Sequence, residues 1–185
     1  VIMKMNTRKL VLNAVLLGIG LVLHQIEPAI FGIKPDMTLI MLFTIMIINK
    51  DDYKTCLICG IIAGIFSGMT SSFPGGQVPN VIDKFITTNI SFLIMMVMYK
   101  VPFMKKLADK NQDFIVSNIL MSLGTVISGF IFLTSAQILV GLPGNMNLSM
   151  LFVAVVLPAI GINLIVGSIV FKVIHVTMKR VSFQS

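Results

Sequence analysis

The chain has 185 residues, 56% of them hydrophobic and 11% charged, with a mean hydropathy of +0.99 and no Trp. A soluble domain of this length is nearer half apolar and a quarter charged, so lipid is the indicated solvent, and at about 20 apolar residues per crossing there is room for about six membrane helices and no soluble domain. The net charge of +7 does not indicate nucleic acid, because the basic residues are spread over several loops beside apolar runs and form no phosphate-tracking groove.

Apolar runs bounded by charge or by Pro/Gly clusters predict six spans at about 8–26, 36–49, 54–71, 81–99, 114–140 and 149–176. The expected fold is an all-α membrane protein, a single bundle of six transmembrane helices with both termini on one side. The first run, RKLVLNAVLLGIGLVL, starts like a signal peptide, but HQIEPAIFG follows in place of a small-residue cleavage site, so it reads as a retained helix. It carries Ala14 and Gly18 at i, i+4, a spacing that suits either an internal helix contact or docking of a partner.

The second span starts at Pro35-Asp36. In the third, GIIAGIFSG places Gly60, Gly64 and Gly68 at successive i, i+4 positions, which lets helix backbones approach closely inside the bundle. TCLICG supplies Cys56 and Cys59 with no further Cys or nearby His; zinc needs four ligands, so core or lipid-facing thiols are the reading.

Between the third and fourth spans lies SSFPGGQVPNVIDKF. From Asn80 onward the polar residues Asn80, Asp83, Lys84, Thr87, Thr88 and Ser91 recur at helical spacing on one face, while Val81, Ile82, Phe85, Ile86 and Ile90 are apolar. A polar stripe running three turns into a membrane must line a cavity or pair internally. Alternatively, Asn80 caps the helix with Asp83 as its partner and Lys84 snorkels to the headgroups, which leaves the hydroxyl residues beyond them unexplained.

Orientation follows from the basic residues. Lys4, Arg8, Lys9, Lys50, Lys54, Lys100, Lys105, Lys106, Lys110, Lys172, Lys179 and Arg180 fall on one side, and only Lys34 and Lys84 on the other. The first side is the expected cytoplasm, and the expected location is a bacterial cell membrane. The outer side then holds Glu27, Lys34, Asp36, Asp83 and Lys84, and three helix N-termini face outward at Asp36, Asn80 and Ser149. Helix N-terminal donors and a Lys suit a carboxylate, and an Asp or Glu suits an ammonium. A small amino acid carries both groups.

There is no G-x-x-x-x-G-K-[ST] phosphate loop and no H-E-x-x-H, and His24 and His175 fall at opposite faces. No catalytic residue, metal or cofactor is indicated, and the chain does not read as an enzyme.

The runs GIKPDMTLIMLF, SSFPGGQVPNVIDKF, ILVGLPGN and VVLPAIGIN resemble those of the tryptophan-type substrate-binding subunits, or S components, of energy-coupling-factor transporters. The resemblance covers all six spans. It implies capture of tryptophan near the outer face and association with a transmembrane coupling subunit and two cytoplasmic ATPases, which fits the missing phosphate loop. It also implies that Ala14 and Gly18 stand where the family's A-x-x-x-A docking motif lies, with Gly in place of the second Ala. Another amino acid or a vitamin as cargo, or an intramembrane enzyme, are the alternatives. The candidate binding residues are Lys34, Asp36, Phe73, Pro74, Gly75, Gly76, Gln77, Asn80, Asp83, Lys84 and Thr87. Pro74, Gly75 and Gly76 would shape a lid, and Gln77 and Asn80 would give neutral hydrogen bonds. Lys84 would take the carboxylate and Asp83 the ammonium, with Asp36 in reserve for the second role.

Overall fold

The computed structural model describes residues 7–26, 28–30, 33–144 and 146–183, with the side chains of all of these except Lys110 and 179–183. Lys4 and Glu27, and the side chains of Lys110, Lys179 and Arg180, lie outside the described residues. The helices are α1 Thr7–Ile26, α2 Met37–Ile48, α3 Tyr53–Met69, α4 Gln77–Lys100, α5 Pro102–Lys105, α6 Asp109–Leu139, α7 Leu148–Leu151 and α8 Leu157–Phe183, with a π-helical turn, Phe152–Val156, between the last two.

Two short helices start by one device. Asp36 Oδ1 accepts the Leu39 N–H at 2.9 Å, and Asp52 Oδ1 accepts the Thr55 N–H at 3.0 Å; each satisfies a donor that the first helical turn leaves open. The Thr55 side-chain and backbone donors hold the Asp52 carboxyl below the usual carboxylate range.

Thr7–Ile26, Gln77–Lys100, Asn111–Leu139 and the rod Leu148–Met178 are long and apolar enough to cross a membrane. The sequence predicts two more full spans at 36–49 and 54–71. The structure has apolar helices of 12 and 17 residues there, roughly 18 and 26 Å long against a hydrocarbon core of ~30 Å. For α2 the reason is its position. Every residue from Met37 to Ile47 is buried, and α1, α3, α4, α6 and α8 all touch it. A helix apolar all round belongs in a core, and one that meets protein on every side has no need to match the bilayer.

The glycine stripe of α3 faces α4. A Cβ on Gly60 would collide with the Thr88 side chain, one on Gly64 would lie 3.0 Å from Val81 Cα, and one on Gly68 2.9 Å from the Gln77 carbonyl oxygen. Cys56 and Cys59 are free, buried thiols on the same helix. The Ala14 and Gly18 pair behaves differently. Ala14 is exposed and a Cβ at Gly18 would meet nothing within 4 Å, so this pair is no internal contact.

The fourth helix begins at Gln77, four residues before the predicted 81. Pro79 is no obstacle, because the first turn of a helix leaves its N–H groups unbonded and proline has none to leave. Asn80 is therefore inside the helix and donates to the Gly76 carbonyl at 2.7 Å. The capping alternative fails for that reason, and the snorkelling alternative fails because Lys84 is 1% exposed. Asn80, Asp83, Lys84, Thr87, Thr88 and Ser91 are all buried, whereas Val78, Phe85, Ile86, Ile90, Leu93 and Val97 are exposed. The helix turns its polar face inward, as expected of a stripe that pairs internally.

Candidate functional site

At the end of the bundle where α1 finishes and α2 and α4 begin, Lys84 reaches across the core. Its Nζ donates to Asp36 Oδ2 at 2.7 Å, Asp83 Oδ2 at 2.7 Å and Ser128 Oγ at 3.2 Å. The side chains of Asp83 and Lys84 leave the helix about 100° apart, yet the four-carbon lysine stem folds back far enough for the ammonium to meet its neighbour's carboxylate.

Each carboxylate is supported beyond the ion pairs. Ser128 Oγ donates to Asp83 Oδ2 at 2.7 Å and Thr87 Oγ1 to Asp83 Oδ1 at 2.8 Å. Thr38 Oγ1 donates to Asp36 Oδ1 at 2.7 Å beside the Leu39 N–H, and the Thr38 hydroxyl also bonds that of Ser67 on α3. From α8, Asn163 accepts the Asp36 N–H at 2.9 Å and donates to Thr125 at 3.0 Å. Charges stripped of water persist only with such compensation. One lysine and two aspartates, tied by hydroxyls and an amide, join α2, α4, α6 and α8.

This network forms one wall of a cavity of about 450 Å³, within the range of roughly 300–1,000 Å³ usual for small-molecule sites. Asp36, Asp83, Lys84, Ser128 and Asn163 face it on the charged side. Phe132, Leu133, Leu151, Val155 and Val156 form the apolar side, and His24, Lys34 and Phe73 also line it. Phe73 and Phe132 meet edge to face with ring centroids 5.3 Å apart, a favoured aromatic geometry. Val156 belongs to the π-helical turn, in which the Leu157 N–H bonds back to the Phe152 carbonyl. That widened turn ends two residues before Pro158, which has no N–H for regular helix pairing.

Among the candidates from the sequence, Lys34, Asp36, Phe73, Asn80, Asp83 and Lys84 line this cavity; Pro74, Gly75, Gly76, Gln77 and Thr87 do not. Thr87 stands one layer behind, holding Asp83. Gly75 adopts φ +70°, and a Cβ there would come within 2.5 Å of the Val140 side chain, so the Pro-Gly-Gly turn fastens its loop to the end of α6. Ser71, Ser72 and Phe73 are the part of that loop that reaches the cavity. Asp36 and Asn147 accept N–H groups at the starts of α2 and α7, so those donors are already used.

Sequence reasoning missed Ser128, Thr125 and Asn163. Their signal is a polar residue inside a long apolar run, isolated at Asn163 and repeated at Ser122, Thr125 and Ser128, which in a membrane marks an internal partner. Among the described residues no group of three or more His, Cys, Asp or Glu could hold a metal ion.

Four long apolar helices define a multi-pass α-helical membrane protein, with a cavity lined by both charged and apolar residues. The chain belongs to the tryptophan transporter TrpP family, which it matches over residues 6–179. It is similar to the "Probable tryptophan transport protein" of Clostridium acetobutylicum, with 46% identity over 183 residues, 98% of this chain and 100% of that one. Proteins of the same description from Clostridium perfringens and Bacillus subtilis are 39% and 38% identical over 96% and 97% of this chain and 96% and 98% of their own lengths. No solved structure matches the chain.

Proposed function

We propose that the chain is the substrate-binding membrane subunit of a tryptophan importer. Tryptophan enters the cavity with its amino-acid head toward Asp36, Lys84 and Asp83 and its indole against Phe132, Leu133 and Val156. The observation that carries this reading is that charged residues and aromatic and aliphatic ones line one cavity; the ligand of a tryptophan transporter has both kinds of group. On this reading the six helices cross the cell membrane with both termini in the cytoplasm, and the cavity opens outward.

Tryptophan-free protein makes the test direct. Titrating the detergent-solubilised chain with tryptophan should give a saturable shift of indole emission to shorter wavelength, since the ligand is the only indole present. A linear, unshifted signal would refute binding here. If thermal stabilisation appears instead with another amino acid or a vitamin, the cargo is that compound.

The energy source is the second part of the proposal. The chain has no phosphate loop, and a transmembrane coupling subunit with two cytoplasmic ATPases supplies the work. The exposed Ala14 and the half-buried Gly18 on α1 are the proposed contact for that coupling subunit. Replacing either by Leu should abolish uptake by the assembled transporter and leave tryptophan binding by the solubilised chain unchanged. Unchanged uptake would move the contact elsewhere.

A further inference from the structure

We infer that the ammonium group of the ligand, held at Asp36, is the obligatory handle of this cavity, so that it accepts indole compounds bearing a cationic amine whether or not they carry a carboxylate. This rests on the tryptophan-binding reading above and narrows it to a class.

The charge count leads there. Asp36, Asp83 and Lys84 by themselves are two carboxylates and one ammonium, with His24 the nearest further basic group acting on Asp36. The carboxylates accept, between them, six hydrogen bonds: three at Asp83, from Lys84, Ser128 and Thr87, and three at Asp36, from Lys84, Thr38 and the Leu39 N–H. Ionised carboxylates are acceptors only, with roughly four lone-pair sites. A cationic amine entering the cavity therefore finds acceptor sites on the carboxylates still open to it.

The two aspartates are not equivalent as partners. Both line the cavity, but Asp83 is 1% exposed, closed in by Lys84 and Ser128, whereas the Asp36 side chain is 26% exposed. Asp36 is the one more open to a ligand. Lys84, engaged by both, has no charge to spare for a ligand carboxylate. The remaining basic residues on the cavity wall are His24, half-buried, and Lys34, which is exposed beside Asp36. An exposed Lys34 stays hydrated and screened, so its pairing with a ligand carboxylate is weak.

Calorimetric titration of the intact solubilised chain with tryptophan, tryptamine and indole-3-propionate separates the two ends of the ligand. Tryptamine, lacking the carboxylate, should bind within about fivefold of tryptophan. Indole-3-propionate, lacking the ammonium, should bind about ten- to a hundredfold more weakly. Asp36→Asn preserves an acceptor for the α2 cap and should remove most of the advantage of tryptamine over indole-3-propionate. Tryptophan binding with the reverse order, indole-3-propionate above tryptamine, would overturn this inference alone. An unchanged ligand order in Asp36→Asn would overturn the role of Asp36. Absence of tryptophan binding would refute the transport reading and this one with it. The ligand series on the unmodified chain decides the matter even if the variant fails to fold.

Discussion

Among the described residues two lysine–aspartate clusters stand out, and they differ in almost everything but chemistry. At one end Lys84 lies 2.7 Å from both Asp36 and Asp83, with 1% of its side chain exposed. At the basic end Lys50 lies 3.2 Å from Asp113 with side chains 34% and 16% exposed, and Asp113 also accepts the Tyr99 hydroxyl at 2.6 Å. Lys50 rests over the Tyr99 ring, 4.5 Å from its centre. The basic end even has the larger cavity, about 930 Å³ against about 450 Å³. Size does not mark the site. At the basic end the lysine is partly exposed, so the pair is a screened clamp between the α2–α3 loop and the start of α6. In the buried cluster Lys84 and Asp83 are closed off from solvent, so their charges must be met by protein groups, while Asp36 keeps a partly open face on the cavity.

Removing one partner from each cluster tests that distinction most strongly. Lys84→Met leaves two carboxylates buried without their cation, which should destabilise the chain by about 3–5 kcal/mol, or prevent folding. The measurement is thermal or denaturant unfolding in detergent. A loss no greater than that caused by Lys50→Met would erase the contrast between the clusters.

Ser128→Ala probes the supports of the buried ions. Asp83 Oδ2 would keep Lys84 but lose the serine donor, for a loss of about 1–3 kcal/mol. Tryptophan affinity measured on the same variant sharpens the picture, because a stability loss with affinity retained would make Ser128 a positioning residue.

The smallest effect belongs to the basic end. Lys50→Met should change stability by about 0–1 kcal/mol and leave tryptophan affinity where it was. A tenfold loss of affinity would mean that the two ends are coupled, and the comparison would have to be redrawn.

The parts of this arrangement that were legible in advance are those with a period. Asn80, Asp83, Lys84, Thr87, Thr88 and Ser91 share a helix face by spacing alone, and the structure buries them all. Gly60, Gly64 and Gly68 read as a packing stripe for the same reason, and α4 covers it. What lay beyond reach was partnership. Asp36 meets Lys84 across 48 positions, Ser128 meets Asp83 across 45 and Asn163 meets Asp36 across 127, and no local pattern encodes such pairings.

Composition and periodicity thus settled that the chain is helical, apolar and polar along one face of α4, because these follow from the spacing of side chains around a single helix. The surroundings of the charged residues were decided only by packing. Asp83, the sequence's first choice for the ammonium, is 1% exposed among Lys84, Ser128 and Thr87, while Asp36, its reserve, keeps 26% of its side chain exposed; both line the cavity. Which of two aspartates keeps a face toward a ligand depends on what the neighbouring helices bring against it, and only the assembled bundle contains that information.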